Sequence, residues 1–328
     1  MANPPRPRVS PPAPRLFLGL TPGESRLDAA RVAIIPAPFD QPTSYLPGTR
    51  FGPDAILEAS RQVEFYDEEL GTEPHRIGIA TLEEIEVEPA DIAGSLGRLE
   101  AVVARVAERG LVPFTLGGEH SLSVAPVRAL LARYPGLCVL QLDAHLDLRA
   151  GYQGTPHSHA SVMRRIRELG VPTVAVGIRS VSREEADYVH AAKAPVFLGR
   201  EIRAKGLPVE EILHKLGNPV YVTVDLDAFD PACVPGVGTP EPGGLTWEEG
   251  LRLLRAVCER RQVVGMDLVE LCPIPGQPAS DFFAAKLANK MIGYLGLSPA
   301  GSKPPRGAGV RATKTRARRG GSRPRSRG

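Results

Sequence analysis

The sequence predicts one three-layer α/β/α domain built on a mostly parallel sheet of about eight strands. Two observations carry this expectation. Short apolar runs alternate with longer helical patterns along the chain, which is how β-α-β units read. Most of the runs are continuously apolar rather than alternating, as strands must be when helices cover both faces. No internal repeat or linker interrupts residues 16–298, so one domain is expected there.

The strand-like runs, in order, are Val32–Ile35, Arg76–Ala80, Leu111–Leu116, Leu137–Leu142, Thr173–Ile178, Val196–Leu198, Val220–Val224 and Val263–Val269. Helical patterns fall between them at Asp91–Arg109, Ser121–Arg133, Ser158–Glu168, Arg183–Ala192, Val209–Leu216 and Ala279–Leu295. Thr246-Trp-Glu-Glu249 has the spacing of a capping box and opens another helix reaching about Arg261.

Both ends differ in composition. Residues 1–15 are rich in Pro and Arg, and residues 299–328 in Gly, Pro, Ser and Arg. Neither segment buries enough apolar surface to offset its ordering entropy, so both are expected to be disordered. The C-terminal tail holds ten cations and no acid; removing them from the net charge of +3 leaves −7 on residues 1–298. A solvated extension is the expected state of this tail, with weak, sequence-independent attachment to nucleic acid or another polyanion as the alternative. It has no aromatic rings for base stacking.

Cys138, Cys233, Cys258 and Cys272 are far apart and form no C-x-x-C pair, which speaks against a zinc knot or a disulfide framework and fits a reducing cytoplasm. No apolar run approaches the roughly 18 residues of a membrane helix, and the first fifteen residues lack the apolar stretch of a secretory signal.

Ligands of open parallel sheets bind beyond the carboxyl ends of the strands, and the ionisable residues cluster where those ends are predicted. LVPFTL leads into Gly117-Gly-Glu-His120, LCVLQL into Asp143-Ala-His145-Leu-Asp147, PVYVTV into Asp225-Leu-Asp227, and VVGMDLV into Glu270. On an extended segment, residues two apart point the same way, so Asp143, His145 and Asp147 are expected to converge, and Asp225 and Asp227 to repeat that geometry. Two glycines before His120 let the chain turn and aim the ring into the crevice. Any one piece alone reads as a turn or cap; three at successive strand ends read as a metal cage. If Asp143 and Asp225 each bridge, two ions receive four protein ligands apiece. Four carboxylates, two imidazoles and no thiolate suit a fairly hard divalent ion, Mn²⁺ before Zn²⁺, with Co²⁺ and Ni²⁺ also open. Two such ions roughly 3.5–4 Å apart would share a water and acidify it. With Glu270 added, the site is net negative, which favours a cationic substrate over a phosphate ester; Arg149 and Arg179 bear on that balance.

These motifs, with Ser158-His159-Ala, Asp225-Leu-Asp227-Ala-Phe-Asp230-Pro, Ser44–Pro53, Pro235–Thr246 and Asp267-Leu-Val-Glu270, resemble the ureohydrolases, the arginase and agmatinase family, over nearly all of residues 30–296. The resemblance implies an arginase-like fold and two Mn²⁺, one held by His120, Asp143, Asp147 and Asp225, the other by His145, Asp143, Asp225 and Asp227. It implies Glu270 as the carboxylate orienting the guanidinium, and His159 as the shuttle bringing a proton to the leaving amine. It further implies urea and an amine as products, and a trimer or hexamer as the assembly. Arg149 stands where arginases carry an Asn that holds the amino-acid end of arginine, which favours the agmatinase branch: agmatine to putrescine, with guanidinobutyrate or arginine as the alternatives. A non-catalytic binding protein is the competing class. Glu119 stands where many members have Asp, and Leu146 replaces a commoner Thr. His157 is expected to be exposed.

Overall fold

The computed structural model describes residues 15–41 and 44–298; the expectations for both tails therefore lie outside the described residues, apart from Arg15. Eight strands form a single sheet: β1 (Val32–Ala37), β2 (Ile79–Thr81), β3 (Val112–Gly117), β4 (Cys138–Leu142), β5 (Thr173–Ile178), β6 (Val196–Leu198), β7 (Val220–Asp225) and β8 (Val263–Val269). Their spatial order is β2-β1-β3-β8-β7-β4-β5-β6, and every pairing is parallel.

Nine α-helices cover the described part of this sheet: α1 (Gly52–Ser60), α2 (Ile92–Glu108), α3 (Val124–Leu131), α4 (Val162–Glu168), α5 (Arg183–Ala192), α6 (Gly199–Lys205), α7 (Val209–Lys215), α8 (Trp247–Arg260) and α9 (Ala279–Leu295). Two apolar cores result, one per face. Val32, Ile34, Leu140, Val222 and Leu268 point to the face covered by α1 and α6–α9. Ala33, Ile35, Val139, Tyr221 and Val264 point to the face covered by α2–α5. Burial on both faces accounts for the unbroken apolar runs in the sequence.

The capping box at Thr246 forms as expected, with the Thr246 hydroxyl accepting from the Glu249 amide and the Glu249 carboxylate accepting from the Thr246 amide. Ser182 and Glu185 build a second one at the start of α5. Three expectations need correction. Arg76 and Ile77 belong to a 3₁₀ turn (Pro74–Ile77), and Gly78, at φ 88°, separates it from a strand that starts only at Ile79. The helices expected from Ser121 and Ser158 begin with 3₁₀ turns and become α-helical only at Val124 and Val162. Helices α1 and α6 were not anticipated: each is short, and in α6 the apolar signal is the single buried Ile202, too little for a periodic stripe.

One polar knot anchors α9. Lys290 is 1% exposed and donates to Asp67 at 2.9 Å and Glu69 at 3.0 Å. Tyr294 and Arg255 also donate to Glu69, at 2.6 and 2.8 Å. Against the opposing effect of burial, these donors hold the Glu69 carboxyl at about 2. Removing the Lys290 ammonium leaves Asp67 buried without its counter-charge, so Lys290→Ala is expected to cost roughly 3–5 kcal/mol in a urea-denaturation measurement. Because Glu69 titrates lower folded than unfolded, its contribution is complete above about pH 4.5 and is lost as pH falls toward 2. The Glu69→Gln variant should therefore flatten that part of the stability–pH curve.

Candidate metal centre

The chemistry-bearing residues emerge from the carboxyl ends of four adjacent central strands. His120 follows β3, Glu270 follows β8, Asp225 ends β7, and Asp143 follows β4. The turn that delivers His120 depends on Gly118, where a Cβ would run into the backbone of Phe39. His120 is fully buried, and its Nδ1 lies 3.2 Å from one oxygen each of Asp143, Asp147 and Asp225. His145 Nδ1 lies 2.9 Å from Asp227 and 3.6 Å from Asp143. Two groups thus form, His120–Asp143–Asp147 and Asp143–His145–Asp227, sharing Asp143.

All six residues expected as ligands come together, but by a different backbone path. Asp143–Asp147 is not an extended segment. His145 makes a bridge to Ser180, and Asp147 turns into the left-handed region at φ 54°, so His145 and Asp147 serve different groups. Asp225-x-Asp227 is likewise a 3₁₀ turn, in which Asp225 accepts from the Asp227 amide at 2.9 Å. Glu270 is also left-handed, at φ 67°. Non-glycine residues pay roughly 1–2 kcal/mol for that conformation, and here it turns two carboxylates inward.

Hydrogen bonds aim the donors. Gln141 Nε2 donates to Asp143 at 2.8 Å, the His145 amide to Asp143 at 2.6 Å, and the Ala144 amide to Asp227 at 3.0 Å. His120 Nε2 meets Thr223 Oγ1 at 2.8 Å, and on the neighbouring strand Asp267 accepts from Tyr221 at 2.7 Å. If Nε2–H donates to the Thr223 hydroxyl, Nδ1 is left to present a lone pair. That Nδ1 is buried without a hydrogen-bond partner, equidistant from three carboxylate oxygens. A lone pair so placed fits a divalent cation and leaves a proton poorly aligned.

The electrostatics agree. Burial, then Asp227 and Asp143, push Asp225 well above the carboxylate range; burial and Asp143 bring Asp147 up to about 7. Against the opposing effect of burial, Asp227 and Asp143 pull His145 up to about 12. Anions crowded to this degree are relieved by shared positive charge.

A cleft of about 320 Å³ opens before these groups, walled by Arg149, Tyr152, His159, Ser182, Glu185 and Glu241. Deeper in it, Ser44, Leu46, Gly238, Thr239 and Glu270 adjoin His145 and Asp147. Desolvation raises the carboxyl of the half-buried Glu270 to about 8 against the pull of the His120 amide, which donates to Oε1 at 2.7 Å. His159 Nε2 meets Ser44 Oγ at 2.9 Å, and its ring stands edge-on to Tyr152. Arg149 leans over the Tyr152 ring at 5.0 Å. Arg179 lies behind the wall, where its guanidinium is taken up by backbone carbonyls, among them Asp227 at 2.6 Å and Glu241 at 2.7 Å. His157, expected to be exposed, is half-buried and does not line the cleft. Gln141 and Thr223 were not read from the sequence, and Asp267 was read only as the start of the Asp267–Glu270 motif, without a role: all three sit inside strands that are otherwise largely apolar.

A parallel sheet with histidine and aspartate donors gathered at adjacent strand ends is the frame of a metal-dependent hydrolase. Residues 30–293 match the arginase family, and the chain belongs to it. An N(1)-aminopropylagmatine ureohydrolase of Synechocystis sp. is 43% identical over 299 residues, spanning 87% of this chain and 95% of that protein. An agmatinase of Bacillus anthracis is 36% identical, over 75% of this chain and 85% of its own. Among solved structures, an agmatine ureohydrolase of Thermoplasma volcanium superposes with a TM-score of 0.76 at 35% identity, covering 82% of this chain and 91% of that one.

The tautomer argument has a direct check. Thr223→Val removes the acceptor for His120 Nε2–H and should weaken divalent-cation binding roughly 10–100-fold in a calorimetric titration. Unchanged affinity would mean that Thr223 does not orient the ring.

Proposed function

We propose that the chain hydrolyses the guanidino group of agmatine, giving putrescine and urea. The observation that carries this reading is the convergence of six histidine and aspartate side chains beside the half-buried Glu270 at the floor of one cleft. His120, Asp143, Asp147 and Asp225 would hold one ion, and His145, Asp143, Asp225 and Asp227 the other, the oxygen-rich donor set favouring Mn²⁺. When bound, the pair of ions supplies an acidified water as nucleophile near neutral pH.

The remaining steps belong to the protein. The His120 amide fixes one oxygen of Glu270, and the other accepts from the guanidinium N–H groups, turning the guanidino carbon toward the histidine–aspartate groups. His159, steadied by Ser44 and Tyr152, delivers a proton to the departing amine nitrogen. Arg179 is engaged by carbonyls, which supports a substrate without a carboxylate over guanidinobutyrate or arginine. An aminopropyl-extended agmatine is a second reading, supported by relatives at 40–43% identity named for that activity.

The four cysteines are free, which supports a reducing cytoplasm as the setting, and no helix among the described residues is long and apolar enough to cross a membrane. A trimer or hexamer, a single catalytic domain over 16–298 and a basic tail available to polyanions complete the proposal.

Purified protein loaded with Mn²⁺ should release urea from agmatine, and faster than from arginine or guanidinobutyrate. Asp147→Ala or Asp227→Ala should lower bound metal and abolish turnover with the circular dichroism spectrum retained; undiminished urea in either variant contradicts the ligand assignment. His159→Gln should lower kcat about 10²–10⁴-fold while leaving metal content intact.

A further inference from the structure

We propose that Glu241 is the residue that selects the substrate's far end: its carboxylate receives the ammonium group that an aliphatic guanidine carries away from the reacting carbon. The inference rests on the reading of the site given above and names the group that would make it selective for cations.

Three observations carry it. The first is placement. Glu241 lines the outer cleft, whereas Glu270 lies at its floor, and the two regions share Ser44, His145, Asp147, His159 and Thr239. A molecule entering along that path meets one carboxylate at each end, which suits a chain with a cation at both ends.

The second is availability. The other acids of the cleft are committed. Asp143, Asp147, Asp225 and Asp227 face the two histidines. Glu185 accepts from the Leu148 amide and from Ser182, and Glu270 accepts from the His120 amide. The Glu241 carboxylate is 36% exposed and faces His145 Nε2 at 3.9 Å, beyond hydrogen-bond distance. Among the described cleft acids that face neither histidine cluster, it is the one whose carboxylate makes no hydrogen bond.

The third is rigidity. Such a side chain usually sits on a loop free to move, but this loop is fastened. Arg179 Nη2 donates to the Glu241 carbonyl at 2.7 Å and Nε to the Pro242 carbonyl at 3.2 Å. Asp230 accepts from the Gly243 and Gly244 amides at 2.8 and 3.1 Å. Because Arg179 also grips the Asp227 carbonyl, the loop bearing Glu241 keeps a fixed distance from the residues at the reacting centre. Preorganisation of this kind lets one exposed carboxylate discriminate, since its backbone ordering is already complete before the ligand arrives. Arg149, held over Tyr152, is a cation on the same cleft wall, so an incoming ammonium is best served near Glu241 and away from it.

The alternative role for Glu241 is to orient His145 through its Nε2–H, and the experiment separates the two. Steady-state kcat and KM are measured with Mn²⁺-loaded wild type, Glu241→Gln and Glu241→Asp, on agmatine and on n-butylguanidine, which has the same carbon chain without the ammonium. The expected result is that Glu241→Gln lowers kcat/KM for agmatine at least about fivefold more than for butylguanidine, chiefly through KM, and that Glu241→Asp restores part of the difference. An equal loss on both substrates, carried by kcat, overturns the proposal and assigns Glu241 to His145. Wild-type protein that releases urea from neither guanidine overturns the reading of the site itself.

Discussion

Four carboxylates and two imidazoles within a few ångströms, almost all withdrawn from water, form the constraint around which this molecule is arranged. Like charges at that spacing repel strongly where the dielectric is low. The protein holds them by directing amides and side-chain donors at their oxygens: Gln141 and the His145 amide at Asp143, the Ala144 amide at Asp227, the Asp227 amide at Asp225. The backbone contributes as well, through left-handed conformations at Asp147 and Glu270 that an unconstrained chain would avoid. Everything needed to enforce that geometry, from Gly118 against Phe39 to Thr223 against His120, lies in the first turn beyond a strand or in the last residues of one.

The architecture was largely legible in the amino-acid sequence because burial on both faces leaves an unmistakable trace. Runs such as Val263–Val269 and Thr173–Ile178 have no polar side to lose, and they are strands over those same residues. The clustering of the site residues was legible for a related reason: aspartates and histidines placed directly after apolar strands have few structural excuses. What stayed hidden has physical causes too. The fold over Asp143–Asp147 depends on backbone torsions that periodicity does not report, so the convergence of these side chains was expected while their path was misjudged. Short helices such as α6, which buries one large apolar side chain, lack the repeated contacts that would mark them. The roles of Thr223 and Asp267 were disguised by strands that are otherwise largely apolar, and that of Glu241 by a loop of prolines and glycines.

Arginine residues show how differently one side chain can be used. Arg149 lies on the cleft wall against an aromatic ring, whereas Arg179 is turned inward and spends its donors on carbonyl oxygens of three separate segments. A guanidinium in that setting acts as a structural pin, since five fixed N–H vectors can hold a strand end and two loops together. The chemistry at the front of the sheet is thereby backed by a charge that never reaches solvent fully, its proton loosened only by the burial around it.

Drawing the clustered histidine and carboxylate side chains from the ends of β3, β8, β7 and β4 has a thermodynamic corollary. Each of those strands is hydrogen-bonded between two others, in the part of a protein that opens last. Fraying at either margin of the sheet, at β2 or β6, can proceed without disturbing the centre. Disassembly of the centre, by contrast, amounts to cooperative melting of the whole ladder. Loss of activity on heating would then coincide with global amide exchange in the middle strands, and the rims could carry mobility or insertions at little functional expense.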